Sequence, residues 1–245
     1  MEVSKKITFI KDWILDYVNS MPNKANSLVV GISGGIDSSV TSTICALTGL
    51  KTIVLSMPIK QKKEQNDLSI LHKKWLIEKF KNIEAHNIDL SEVFKNFENT
   101  LSNFKNEHGL ANSRARFRMI SLYQVAAANN GLVVGTGNRV EDFGVGFYTK
   151  YGDGGVDISP IADCTKTEVW EIGKELKILE KIINAKPTDG LWDDGRTDEG
   201  QLGLSYEQIE EAMNNPDSLN YQKYLKIRRL NLHKMEPIPV CKIPK

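Results

Sequence analysis

Leu28-Val29-Val30-Gly31-Ile32-Ser33-Gly34-Gly35-Ile36-Asp37-Ser38-Ser39 is the stretch on which the fold turns. Leu28 to Val30 read as a short buried strand, and the residues after Asp37, through Ile44, Cys45 and Leu47, as a helix. Between them Gly34 and Gly35 permit positive φ and a close approach of backbone to ligand. The free N–H groups and positive dipole end of the following helix favour an anion at this turn. Ser33, Ser38 and Ser39 add hydroxyl donors, and Asp37 offers a hard oxygen for a divalent cation beside phosphates. A Walker A loop would need Lys-Ser/Thr after its last glycine, and none is present. The plainer alternative is a tight turn with Asp37 or Ser38 as N-cap. Two serines, an aspartate and a strand in front favour the phosphate loop.

Working outward, strand and helix patterns alternate. Ile7, Ile10, Trp13, Ile14, Tyr17 and Val18 recur at helical spacing before the first strand. Thr52-Ile53-Val54-Leu55 is a buried-type strand ended by Pro58. A helix from about Glu64 to Phe80 precedes a weaker strand, Ile83 to Ile88. Helices through Val93, Phe94 and Phe97 and over Arg114–Asn130 lead to a fourth strand, Leu132-Val133-Val134. This alternation predicts an α/β fold: an open, mostly parallel twisted sheet with helices on both faces, Rossmann-like, with its site at the strands' carboxyl ends. Gly135-Thr136-Gly137-Asn138-Arg139 follows the fourth strand and should lie beside Ser33–Ser38.

The 245 residues can bury a full core, and 32 Lys+Arg against 31 Asp+Glu leave a net charge of +1. No broad basic field points to nucleic acid, and no apolar run approaches a membrane span. Cys45, Cys164 and Cys241 form no metal or redox motif and read as reduced thiols, two of them buried. The four histidines show no metal-ligand spacing, so zinc is not expected. A cytoplasmic enzyme is the expectation. Residues 186–203, polar, acidic and glycine-rich, read as a loop that acts as a mobile lid, with Leu191 and Trp192 either closing over the nucleotide, the favoured reading, or anchoring the loop to the core.

Ser33-Gly34-Gly35-Ile36-Asp37-Ser38 resembles the signature of the ATP pyrophosphatases, which cleave ATP to AMP and pyrophosphate. Gly135-Thr136-Gly137-Asn138, then Glu141, and Phe147-Tyr148-Thr149-Lys150-Tyr151-Gly152-Asp153-Gly154-Gly155-Val156-Asp157 sharpen this to the NAD synthetases, the ammonia-dependent form in particular. Ile158 to Asp163, Lys166, Lys186-Pro187-Thr188, Leu202-Gly203-Leu204-Ser205-Tyr206 and His233-Lys234 fit the same family. The resemblance covers nearly the whole chain and implies an adenine nucleotide alpha-hydrolase-like fold. It also implies a two-step reaction. The nicotinate carboxylate of deamido-NAD is adenylated by ATP with release of pyrophosphate, and ammonia then displaces AMP to give NAD. Adenylation is needed because a free carboxylate offers ammonia too poor a leaving group.

Residue roles follow from the resemblance alone. Gly31, Ile32, Ser33, Gly34, Gly35, Ile36, Asp37 and Ser38 would cradle the ATP phosphates, with Thr136, Lys166 and Thr188 as further ATP contacts. Arg116, Lys150, Asp157, His233 and Lys234 would hold deamido-NAD, and Asp37 with Glu141 would hold magnesium. A homodimer is implied, with deamido-NAD near the subunit contact. Arg114 and Arg118 read instead as solvated charges or ion pairs along their helix. The chain departs from the common family pattern at Gly137-Asn138, where Asp-His is frequent, and at Ser56-Met57, where an arginine often precedes the proline. Adenine contacts near Met57 and Gly137 are therefore left open. No glutamine-hydrolysing domain is expected, which makes free ammonia the nitrogen donor. A tRNA-modifying ligase or sulfurtransferase would share Ser33–Ser38 but should bring a basic domain or paired cysteines. A non-catalytic nucleotide-binding module would give no reason for Glu141, Lys150–Asp157 and Lys166 together.

Overall fold

The computed structural model describes residues 1–59, 63–188, 190–192 and 196–244, the side chains of 63–66 excepted. At its centre β1 (Ser27–Gly31) runs parallel to β2 (Lys51–Ser56) on one side and to β4 (Gly131–Val134) on the other. Strand β3 (Ile83–Asn87) adds to the far side of β2, so the order is β3-β2-β1-β4, parallel throughout. Because side chains alternate along a strand, β1 feeds two cores at once. Leu28 and Val30 join one cluster and Val29 the opposite one. A strand buried on both faces reads as a continuous apolar run, which is why its sequence shows no alternation.

Helices cover both faces. Helix α1 (Val3–Ser20) buries Ile7, Ile10, Ile14 and Val18 against α2 (Ile36–Leu47) and α6 (Lys166–Glu175). Trp13 and Tyr17, read with that stripe in the sequence, stack on each other nearer the surface. On the other face α4 (Ser91–Thr100) and α5 (Glu107–Ala128) close over Val29 and Val133. Helix α5 starts seven residues before the expected Arg114. The side chain of Asn106 accepts from Gly109 N at 2.7 Å and caps it there. The first turns carry glycine and polar residues, so they lack the apolar periodicity that would have revealed them.

Past β4 the chain forms a π-helical turn, Arg139–Val145, on which α9 (Tyr206–Asn214) and α10 (Tyr221–Met235) pack as a further layer. Two short helices, α7 (Glu180–Ile183) and α8 (Asp198–Leu202), lie between α6 and α9. The 186–203 stretch is thus helical at its end, where Thr197 caps α8 by accepting from Gly200 N. Residues 189 and 193–195 of that stretch lie outside the described residues. No described helix is long and apolar enough to cross a membrane. Cys45 and Cys164 are buried and Cys241 is exposed, as expected.

Helix α3 (Lys63–Lys79) turns a polar face inward. Ser69 and Ser56 share a hydrogen bond, and Lys73 Nζ donates to the His86 carbonyl at 3.1 Å. His72 is fully buried beside Ser42 Oγ, 3.0 Å from its Nε2, with Trp75 stacked on the ring. Burial pushes its pKa down to about 4, so the ring is neutral in the fold. In the unfolded chain it titrates near 6.5. Folding stability is therefore complete above that value and drains as pH falls towards 4, by up to about 3 kcal/mol. His72→Gln should flatten the fall in denaturation midpoint between pH 7 and 4.5. Parallel slopes for the two proteins would refute this.

Candidate active site

The carboxyl ends of β1 and β4 open onto one cavity of about 280 Å³. Gly31 to Ser38 form one wall of it, and Thr136, Glu141, Lys166 and Thr188 also line it. Every position carried over for ATP therefore meets in a single cleft. Gly34 takes φ +91°, a conformation only glycine adopts readily, and this lets the chain turn from β1 into α2. The loop's hydroxyls are tied within it: Ser33 Oγ and Ser38 Oγ lie 3.0 Å apart, and Ser39 Oγ donates to the Gly35 carbonyl at 2.9 Å. The first turn of α2 faces the cleft with N–H groups that no helical carbonyl can satisfy.

At the floor sits Lys166, 1 % exposed at the start of α6. Its Nζ donates to Asp37 Oδ2 at 2.6 Å and to Glu141 Oε1 at 2.9 Å. A capping box, Thr165 with Glu168, fixes the first turn of α6 and so the point from which this lysine departs. Burial alone would discharge the lysine, but the two carboxylates overcome it and hold its pKa above the ordinary range. Burial likewise opposes charge on Glu141, yet Lys166 and the Tyr206 hydroxyl keep that carboxyl below its usual value. Asp37 is raised, by burial first and by the Glu141 charge.

Three residues without an assigned role in the sequence complete the arrangement. Asn138, fully buried, donates from Nδ2 to Asp37 Oδ1 at 2.9 Å. Its Oδ1 accepts from Val140 N and Glu141 N at 3.0 and 3.1 Å, so one amide caps the π-helical turn and aligns both carboxylates. Tyr206 OH lies 2.6 Å from Glu141 Oε1 and 3.1 Å from Asp198 Oδ2. The departure at Gly137-Asn138 thus has a physical reading. Asparagine supplies a donor to Asp37, and a Cβ at Gly137 would collide with the Asp142 carboxylate. Met57 and Gly137 both line the cleft.

Arg114 and Arg118 correct the expectation of solvated charges. Arg114 is 7 % exposed, lies over the Phe94 ring, and donates to the Leu191 carbonyl at 2.7 Å. Arg118 lines the cleft and donates from Nε to the Met57 carbonyl at 3.1 Å. Leu191 lines the cleft, whereas Trp192 packs with Arg196 and His108.

The positions carried over for deamido-NAD lie outside this cavity. Arg116 donates to the Lys150 carbonyl at 3.3 Å, and Lys150 Nζ reaches the His233 carbonyl at 3.4 Å. Lys234 Nζ donates to the Tyr148 carbonyl at 2.7 Å, and Tyr148 OH donates back to the Lys234 carbonyl at 2.6 Å. Arg116, Lys150, His233 and Lys234, with Tyr148, form one chain between α5 and the end of α10. Asp157 stands apart from it. Its carboxylate accepts from Val133 N at 2.8 Å and from Tyr123 OH at 3.0 Å, along the outer edge of β4.

Comparison with known proteins agrees with this architecture. A family model described as NAD synthase matches residues 6–238. The NH(3)-dependent NAD(+) synthetase of Methanosarcina acetivorans is 40% identical over 209 residues, covering 82% of this chain and 78% of that protein. That of Mesoplasma florum is 39% identical over 206 residues, covering 81% of each. Among solved structures, an NMN synthetase from Francisella tularensis superposes with a TM-score of 0.90 at 28% identity, over 99% of this chain and 100% of that one. An NH3-dependent NAD synthetase from Campylobacter jejuni, in complex with nitrate, superposes with a TM-score of 0.79 at 25% identity, again over 99% and 100%. With a phosphate-type loop, two converging carboxylates and a buried lysine at the ends of β1 and β4, and with matches over nearly its full length, the chain belongs to the NAD synthase family.

Proposed function

We propose that the protein amidates deamido-NAD to NAD at the expense of ATP, with ammonia as nitrogen donor. The observation that carries this reading is the convergence of the phosphate-type loop, Thr136, Lys166 and Thr188 on one cavity, with Asp37 and Glu141 meeting at its floor. ATP enters with its phosphates at the start of α2. The nicotinate carboxylate attacks the α-phosphorus, the bond to the β-phosphate bridging oxygen breaks, and pyrophosphate leaves. Ammonia then attacks the acyl carbon, the acyl–oxygen bond to AMP breaks, and one proton leaves the nitrogen. The chain contributes positioning and charge compensation at the phosphates. Lys166 trades its carboxylate partners for phosphate oxygens as the nucleotide arrives.

Magnesium fits the floor by donor chemistry: two carboxylates from different strand ends converge on one cation, the ammonium of Lys166. Asp37 and Glu141 would hold it, with phosphate oxygens and water completing its shell. The described protein residues alone offer no group of three ligands. When bound, magnesium neutralises phosphate charge. Arg116, Lys150, Asp157, His233 and Lys234 are proposed for the dinucleotide, the 186–203 stretch as a lid held by Arg114, and a cytoplasmic homodimer as the working form.

A second reading concerns the size of the acyl substrate. The likeness to the Francisella tularensis NMN synthetase, and the placement of the dinucleotide positions outside the cavity, favour nicotinate mononucleotide as an alternative to deamido-NAD. Both readings share the chemistry and differ only in whether the second nucleotide is needed. The test is incubation with ATP, magnesium and ammonia plus either acid, with AMP and amide product assayed. A higher kcat/KM for deamido-NAD supports the first reading, and a higher value for the mononucleotide supports the second. No AMP with either acid would overturn both.

A further inference from the structure

We propose that Tyr206 is a positioning residue that holds Glu141 ready for the metal once Lys166 has turned to the phosphates. The proposal rests on the ATP-dependent reading above. Tyr206 is fully buried at the first position of α9, where a capping box of Ser205 and Gln208 fixes the turn. Its own N–H donates to Glu199 Oε1 at 3.1 Å, and Trp170 packs edge-on against its ring. The side chain therefore has little freedom, and its hydroxyl is delivered to a set place.

That place matters because Tyr206 touches three members of the site at once. The hydroxyl lies 2.6 Å from Glu141 Oε1 and 3.1 Å from Asp198 Oδ2, while Lys166 Nζ sits 4.7 Å over the ring. A phenol has one proton to give, and the shorter contact shows where it goes. Glu141 Oε1 thus has two donors, a cation and a neutral hydroxyl. The cation is the one that phosphate oxygens compete for. The hydroxyl cannot follow, since its ring is locked between α6 and α9. When Lys166 leaves, Tyr206 keeps Glu141 Oε1 hydrogen-bonded and oriented, so Glu141 meets a divalent cation without rearranging. Partners of this kind, one step removed from a ligand, alter metal affinity or activity by roughly 10–100-fold when removed.

The contact to Asp198 gives the same hydroxyl a second neighbour, at the end of the 186–203 stretch. Asp198 N donates to the Pro187 carbonyl at 3.1 Å, so the start of α8 is tied to the beginning of that stretch. The same phenol therefore contacts both Glu141 and Asp198.

Tyr206→Phe deletes the oxygen and leaves the ring, its packing and its place under Lys166. In calorimetric titrations of ATP at graded magnesium, the variant should need about 10-fold more magnesium for half-maximal nucleotide binding. Excess magnesium should restore the bound fraction. In a Glu141→Gln background the same substitution should change the magnesium midpoint little, because Tyr206 acts through Glu141. An unchanged midpoint in Tyr206→Phe, or an equal shift in both backgrounds, overturns the proposal. Wild-type protein that binds ATP without any response to magnesium overturns the underlying reading instead. Should Tyr206→Phe fail to fold, Glu141→Gln and wild type carrying fluorotyrosine at the tyrosines supply the comparison. A more acidic phenol must then shift the midpoint in wild type and leave it in place in Glu141→Gln.

Discussion

Replacing Lys166 by methionine is expected to reduce adenylate formation by about 10³-fold under the proposed function, in which its ammonium offsets the charge on departing pyrophosphate. Stability should fall as well. Asp37 and Glu141 would remain at the cavity floor without the ammonium that now binds both, and breaking a buried ion pair on one side costs about 3–5 kcal/mol. Magnesium should restore part of that loss, because a divalent cation can replace the missing charge. Rapid-quench measurement of pyrophosphate release, with denaturant titrations at graded magnesium, checks both. Normal pyrophosphate release with a defect only after ammonia is added would move Lys166 to the second half-reaction.

Asn138→Ala should be nearly as damaging for a different reason. One amide caps the π-helical turn through Val140 N and Glu141 N and donates to Asp37. Its removal leaves buried N–H groups unpaired, at about 2–3 kcal/mol. It also frees both carboxylates to shift, and misplacement near 1 Å can lower turnover about 10²-fold. Asn138→Asp separates these effects. An aspartate still caps the turn but sets a second negative charge against Asp37, so stability should recover in part while turnover should not. Equal turnover for wild type and Asn138→Asp would refute the donor role.

How much of this was readable in the chain depends on how local each signal is. The strand, glycine turn and helix of residues 28–47 sit within twenty residues, and each carries its own composition cue. The meeting of Asp37, Glu141 and Lys166 is different in kind. No spacing rule links three residues from separate elements. Resemblance brought them into one site, but it did not say that the lysine would bind both acids. Asn138 looked like a departure from a pattern, and only its three bonds show what it does. Arg114 and Arg118 misled because long basic side chains on a helix usually reach water. Here their heads find the carbonyls of Leu191 and Met57, contacts made across the fold that helix periodicity cannot foretell. The early start of α5 was hidden by Gly109 for the converse reason, a local signal overridden by a cap.

The sheet order has a consequence for how the protein comes into being. Strand β1 is the first made and one of the two inner strands, with Ser27 opposite Lys51 on one side but opposite Gly131 on the other. As the ribosome delivers the chain, β2 can pair soon after β1 emerges, whereas β4 is roughly a hundred residues away. Until it arrives, the edge of β1 that β4 will cover has unpaired backbone N–H and C=O groups, and the Val133 and Val134 side chains that extend the two cores beside Val29 and Val30 are missing. Pairings between such distant segments form slowly, and unpaired edges attract other chains meanwhile. The hazardous period for this protein is therefore the interval of its own synthesis between residues 31 and 131. A nascent chain stalled there should aggregate or recruit chaperones far more than one stalled after β4.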